Sequence, residues 1–164
     1  MNTGKLNLLP EWDAFNLPLV DEGDEWKWKA RLDAARSLYD QWRDVFQLVY
    51  AFADTLPENS VKEDGQMVPD ARAMIFENAF IVAPKIRSAS GDTLYEIKME
   101  NAALIRFNCN QMMEQIGFAV LMGTGDPEHK AVIEEAMVEF RKRFRSWVGF
   151  FEKDEVEDEW GLFV

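Results

Sequence analysis

Two pairs of carboxylates one helical turn apart and a single histidine are the residues of this chain whose types could do metal-assisted chemistry. Glu96 with Glu100, and Glu135 with Glu139, have the four-residue spacing that sets two side chains on one side of a helix. A carboxylate-bridged dimetal centre also needs a Glu-x-x-His pair on each of two helices. His129 is the only histidine, and the residue three places before it is Asp126. One imidazole cannot serve two metals, and both Glu pairs fall on polar faces, so no metal site is expected. His129 sits in the first turn of a predicted helix, where the helix dipole disfavours a protonated ring. No Ser, Cys or carboxylate is placed to complete a triad with it, so it reads as a boundary residue rather than a general base. Cys109 lies among Ile105, Met112 and Ile116, the setting of a buried structural thiol. Gly123-Thr124-Gly125 is a helix break, with no phosphate-binding or dinucleotide-binding pattern around it. The sequence yields no catalytic residue, no metal ligand and no cofactor site.

The elements that carry these residues are helices. Over residues 24–56, Trp28, Leu32, Ala35, Tyr39, Trp42, Phe46, Val49, Ala53 and Leu56 recur at steps of four and three, and Pro57 ends the pattern. Leu38, Val45, Leu48 and Phe52 widen that stripe. An aperiodic polar loop follows, to Pro69. A second helix should start at or just before Asp70. It is apolar almost all round through Met74, Ile75, Phe76, Phe80, Ile81, Val82 and Ile86, with Pro84 expected to kink or end its last turn. After Ser88-Ala-Ser-Gly91, Asp92 or Thr93 can cap a third helix, and Thr93 with Glu96 has capping-box spacing. The third helix runs to about Met122, where Gly123 and Gly125 should terminate it. Asp126 as N-cap with Pro127 at the first helical position opens a fourth, striped by Ile133, Met137, Phe140, Phe144, Trp147 and Phe151. Four helices and no strand pattern of comparable strength predict an all-α, antiparallel up-and-down four-helix bundle. The bundle should occupy residues 24–153, with an N-terminal arm over 1–23 and a C-terminal tail over 154–164.

Some polar residues fall in apolar arcs. Lys98 projects with Ile105 and Ile116, and Glu77 lies between Met74, Ile81 and Pro84. A buried charge needs a partner, so Glu77 is expected to pair with Lys98 or Arg106, unless the long cationic side chains snorkel to solvent. Asn101 and Asn108, seven residues apart, are candidate register-setting polar residues on the third helix. On the fourth, Arg141, Lys142, Arg143 and Arg145 surround Phe140 and Phe144. Such a cluster suits nucleic-acid phosphate, but it also suits a helix C-terminus or neutralisation by Asp154, Glu155, Glu157, Asp158 and Glu159.

Most of the net charge of −12 belongs to the ends, since residues 1–25 and residues 152–164 each carry six acids against one lysine. The acid is mixed with large apolar groups: Trp12 and Phe15 at the front, and Trp160, Leu162 and Phe163 at the back. Plain solubilising tails would not need aromatics. The N-terminal arm, with Leu9-Pro10 and Leu17-Pro18, is expected to lie over the bundle, whereas the C-terminal tail either folds back or docks on a partner. A single cysteine leaves no intrachain disulfide, and neither a signal peptide nor a membrane span is legible, so a cytoplasmic location away from membranes is expected.

The order of a long first helix, an acidic loop after Leu56-Pro57, a buried second helix, a short Ser/Gly break and a long third helix resembles bacterial four-helix-bundle proteins encoded in ribosomal RNA intervening sequences, and the related retroelement accessory bundles. The resemblance covers residues 28–151 and implies the bundle fold. The Asn-Ile-Ala-Glu-Gly stretch usual in that family is replaced here by Pro84-Lys-Ile-Arg-Ser-Ala-Ser-Gly91, and this chain is acidic where those relatives are basic and form ring-shaped oligomers. No functional residue is carried over. The leading expectation is a non-enzymatic interaction or scaffold protein that self-associates through the apolar surface of its first two helices or binds another protein. The alternatives are a nucleic-acid accessory protein using Arg141, Lys142, Arg143 and Arg145, and a ligand carrier or enzyme with a pocket in the bundle core.

Overall fold

A computed structural model describes residues 9–14, 25–58, 70–91 and 93–163. Four helices make up the body: α1 (Glu25–Asp54), α2 (Ala71–Ser88), α3 (Tyr95–Leu121) and α4 (Pro127–Val148), preceded by a 3-10 turn over Trp12–Ala14. The fold is all-α, and no strand occurs among the described residues. Helix α1 packs on α2 and α4, α2 packs most extensively on α3, and α3 meets α4 much more thinly. Ring pairs fix the sense of neighbouring helices: Phe46–Phe80 and Tyr50–Phe76 advance along α1 as they retreat along α2. The same holds for Trp42–Phe140 and Phe52–His129 between α1 and α4.

Amphipathicity accounts for the core. Leu38, Trp42, Val45, Val49 and Phe52 of α1 are completely buried, against Ile133, Met137, Phe140 and Trp147 of α4 and Ile75, Val82 and Ile86 of α2. Burying side chains of this size contributes about 1.5 to 3 kcal/mol each before the entropy of ordering is subtracted. Ala79 and Ala83 on α2, and Ala102 on α3, are buried small residues that allow the close α2–α3 approach. Helix α1 turns its main apolar stripe into the core, although Trp26 at its start is 71% exposed, and α2 leaves Phe80 and Ile81 partly exposed, at 46 and 38%.

The helix ends follow local chemistry. Asp70 accepts from the Arg72 amide at 3.0 Å, and Asp126 from the Glu128 amide at 2.9 Å, so both act as N-caps. At the end of α3, Gly123 adopts φ +75 while its amide bonds Val120 O and the Thr124 amide bonds Ala119 O. These are the two bonds of a Schellman motif, which requires a left-handed residue at this place. Gly125 lies against the Phe52 ring, and a Cβ there would come within 2.6 Å of the ring carbon Cζ, so any larger residue would force the buried ring to shift. Pro84 does not end α2, which continues to Ser88.

The start of α3 corrects the sequence reading. Asp92 and the loop at 59–69 lie outside the described residues, and the N-cap residue is Leu94, which has no side chain to donate or accept. The expected Thr93–Glu96 capping box is not formed. Instead the Tyr95 amide donates to Asp154 Oδ2 at 2.7 Å, so a carboxylate from the far end of the chain serves the first turn.

Candidate functional site

Helix α3 is the element with apolar groups to spare. It is apolar on several sides, and the side chains that serve the core are Ala102, Ile105, Met112, Ile116 and Ala119. Away from the core, Leu104, Phe107, Phe118, Leu121 and Met122 are 41, 58, 54, 81 and 62% exposed. At 3.6 residues per turn these five fall within about a third of the helix circumference, on one outer face with Glu100, Gln111 and Glu114 among them. Asn101 and Asn108 flank that face. Both are buried and donate to the carbonyls of Ile97 and Leu104 of their own helix at 2.8 Å, so they do not reach a neighbouring helix with those amide groups.

The basic residues of α4 divide by direction. Arg143 turns inward over α1: its Nη1 donates to Ser37 O and its Nε to Glu139, each at 3.0 Å. That bond holds the Glu139 carboxyl below its usual range, with Lys142 nearby adding to the effect at 3.7 Å. Arg141, Lys142 and Arg145 remain exposed near Val138, which is 59% exposed. Residues 141–145 therefore do not form one basic face, and no ion pair joins them to Asp154, Glu155, Glu157, Asp158 or Glu159 among the described residues.

The expected Glu77 pair is corrected too. Glu77 is exposed, as is Arg106, while Lys98 is 5% exposed, and no ion pair links Glu77 to either cation among the described residues. The core side of α2 runs through Ile75, Ala79, Val82 and Ile86, and Glu77 lies opposite it. A helix apolar almost all round offers two possible buried arcs, and the wheel through Met74, Ile81 and Pro84 picked the outer one.

Two grooves open beside α3. One, of about 390 Å³, lies between α3 and α4, with Ile105, Met113, Met137 and Phe144 along its floor and Arg106 and Arg141 at its edge. Cys109 lines it too, and burial pushes its thiol up to about 12 although the Arg141 charge opposes this, so the thiolate nucleophile is suppressed. The other, of about 830 Å³, lies at the end of the bundle, between Trp26, Trp28 and Arg31 of α1, Leu94 and Lys98 around the start of α3, and the segment that follows α4. Here the Arg31 guanidinium stacks on Trp28, 4.1 Å from the ring centroid.

The two ends of the chain are treated differently. Leu9 and Trp12 are buried on α1, Tyr39 Oη donates to Pro10 O at 2.8 Å, and Asp13 pairs with Arg36 at 3.1 Å. Burial pushes the Tyr39 phenol up, with Arg43 and Arg87 opposing. Beyond Asp154 the tail leaves the body: Trp160 is 87% and Leu162 69% exposed, while Phe163 is half-buried. The tail is locally ordered by Asp158, whose carboxyl accepts from the Trp160 and Leu162 amides and is held below its usual range by them.

His129 stands edge-on to Phe52 at 5.6 Å, a packing contact. No group of three or more His, Cys, Asp or Glu side chains able to hold a metal converges among the described residues, and no helix there is long and apolar enough to cross a membrane. An all-α four-helix protein is the class that the fold defines. The chain matches no known family model, no curated protein and no solved structure.

Proposed function

We propose that this protein is a non-enzymatic, self-associating interaction module whose contact surface is the outer face of α3. The observation that carries the reading is the exposure of Phe107, Phe118, Leu121 and Met122, each more than half accessible, on one side of a single helix. Large aromatic and aliphatic groups clustered in this way on a monomer mark an interaction surface. Glu100 and Glu114 lie within that face, so its partner has to bring cations along with apolar groups. The outer side of α4 has that composition, in Val138, Arg141, Lys142 and Arg145. A second copy seated with its α4 on α3 makes a head-to-tail contact with complementary charge.

Charge reversal tests the pairing. Glu100→Lys with Glu114→Lys should weaken association, and adding Lys142→Glu with Arg145→Glu should restore part of it, both read as mass in solution. Association untouched by the first pair of changes would rule out this face.

The α3–α4 groove supports a second reading, a carrier of a slender apolar molecule with an anionic head. Its floor is apolar, and Arg106 and Arg141 stand at its edge. Met113→Trp should fill it, and laurate binding followed by calorimetry should be lost; a chain that binds no laurate at millimolar concentration is not such a carrier.

A further inference from the structure

The end groove contains a charged group in an unusual state. Arg31 Nε and Nη2 are shut off from solvent, and neither has a hydrogen-bond partner among the described residues. Arg43 Nε and the indole N–H groups of Trp42 and Trp147 are also unpartnered, but the Arg43 guanidinium has Glu11 at 4.0 Å, and the indoles are neutral and belong to fully buried core side chains. A guanidinium with two of its three nitrogens shut off from water and from any acceptor is more costly, and the half-buried Arg31 lines an open groove rather than sealed core. Turned toward the groove, its fork of donors would match a carboxylate. The walls beside it are aromatic, with Trp26, Trp28 and Phe150, and the exposed Lys153 adds positive charge. Glu152 and Asp154 offset part of that charge, but Asp154 is engaged with the Tyr95 amide. The groove is therefore suited to a segment that combines carboxylates with a large aromatic side chain.

One segment of this chain has that composition and holds its largest side chain, Trp160, 87% exposed. Residues 155–164 carry Glu155, Glu157, Asp158 and Glu159, followed by Trp160 and Leu162, and the last two point into solvent from the turn that Asp158 orders. We infer that the end groove of one copy receives the C-terminal segment of a second copy, with a carboxylate of that segment on Arg31 and Trp160 against Trp28. Reach is sufficient. Ten residues span at most about 33 Å when extended, and packed helices lie about 8 to 10 Å apart. Seating α4 of one copy antiparallel on α3 of the next brings the end of α4, and the segment behind it, to the start of α3, where the groove lies. The inference rests on the self-association reading for the presence of a second copy, but it uses different residues.

The test uses a fluorescein-labelled peptide of residues 155–164 and the chain with residues 157–164 deleted, which keeps Asp154 on Tyr95. The peptide should bind the shortened chain saturably at one per chain, and bind the full chain more weakly, because the resident segments compete. Arg31→Gln in the protein, Trp28→Ala in the protein and Trp160→Ala in the peptide should each weaken binding by about tenfold or more. In the full-length protein, the deletion should raise the self-dissociation constant by a similar factor. A peptide that does not bind, or that binds equally well to Arg31→Gln, overturns the inference. Deletion that lowers the melting temperature of a monomer without changing its mass also overturns it, since the segment is then an arm of its own chain. Phe107→Glu with Leu121→Glu separates the two proposals: it should abolish association through α3 yet leave peptide binding intact, whereas a full-length chain that stays monomeric at all concentrations defeats both.

Discussion

Helices α1 and α3 are of similar length and similarly rich in apolar residues, yet they use them in opposite ways. Helix α1 gathers its large groups on one side, and Leu38, Trp42, Val45, Val49 and Phe52 all disappear into the core. Helix α3 gives the core Ala102, Ile105, Met112, Ile116 and Ala119, with no aromatic ring among them, and it leaves Phe107, Phe118 and Leu121 outside. The first is framework. The second is framework on one side and leaves an exposed apolar face on the other, the face that we propose meets a second molecule.

Truncation should separate the two helices by the widest margin. Trp42→Ala should cost about 3 to 5 kcal/mol of stability, because a fully buried ring leaves a cavity against Phe140. Phe107→Ala should change stability by less than about 0.5 kcal/mol and weaken self-association instead. Denaturant unfolding of both variants, with mass measured in parallel, tells the two helices apart. Next in size is Arg143→Met, which removes the bonds to Ser37 O and Glu139 that tie α4 to α1. Roughly 1 kcal/mol should be lost in denaturant unfolding, a low figure for charge-assisted bonds because the side chain is 35% exposed. Asp154→Ala removes the acceptor at the start of α3 and should cost about 0.5 to 1 kcal/mol, seen as faster amide exchange at Tyr95 and its neighbours. The smallest effect is the pH response of the tail. The Asp158 carboxyl is lowered in the ordered turn by the Leu162 and Trp160 amides. Its contribution is present above the ordinary aspartate value of about 4 and is lost as pH falls through the lowered value. The Trp160 and Leu162 amide resonances should therefore move to random-coil positions on acidification, while those of α1 hold.

Much of the framework was legible because its causes are local. The stripe of α1, the Asp70 and Asp126 caps, Pro127 and the Gly123 stop each depend on residues within one or two turns. What could not be read depends on distance along the chain. Asp154 caps a helix 59 residues away, so the local Thr93–Glu96 pair looked like the better candidate. Arg143 looked like part of a basic patch because nothing in its neighbourhood reveals the carbonyl of Ser37, 106 residues distant. Helical spacing alone would have separated it from Arg141 and Arg145. Glu77 was misplaced for the converse reason: with apolar residues on every side of α2, local pattern does not select the buried arc. The Arg31–Trp28 stack, three residues apart on α1, had a visible signal in its spacing, but its meaning depends on the groove assembled by α3 and the segment after α4.

The claim that α3 is a contact surface stands or falls with the mass of the protein in solution. Sedimentation equilibrium should give a mass above the 19.0 kDa of one chain, rising with concentration, and Phe107→Glu with Leu121→Glu should lower it toward 19.0 kDa at every concentration with helix content unchanged. A wild-type chain that remains at 19.0 kDa across the accessible range, or a double variant that associates as strongly as the wild type, would contradict the account.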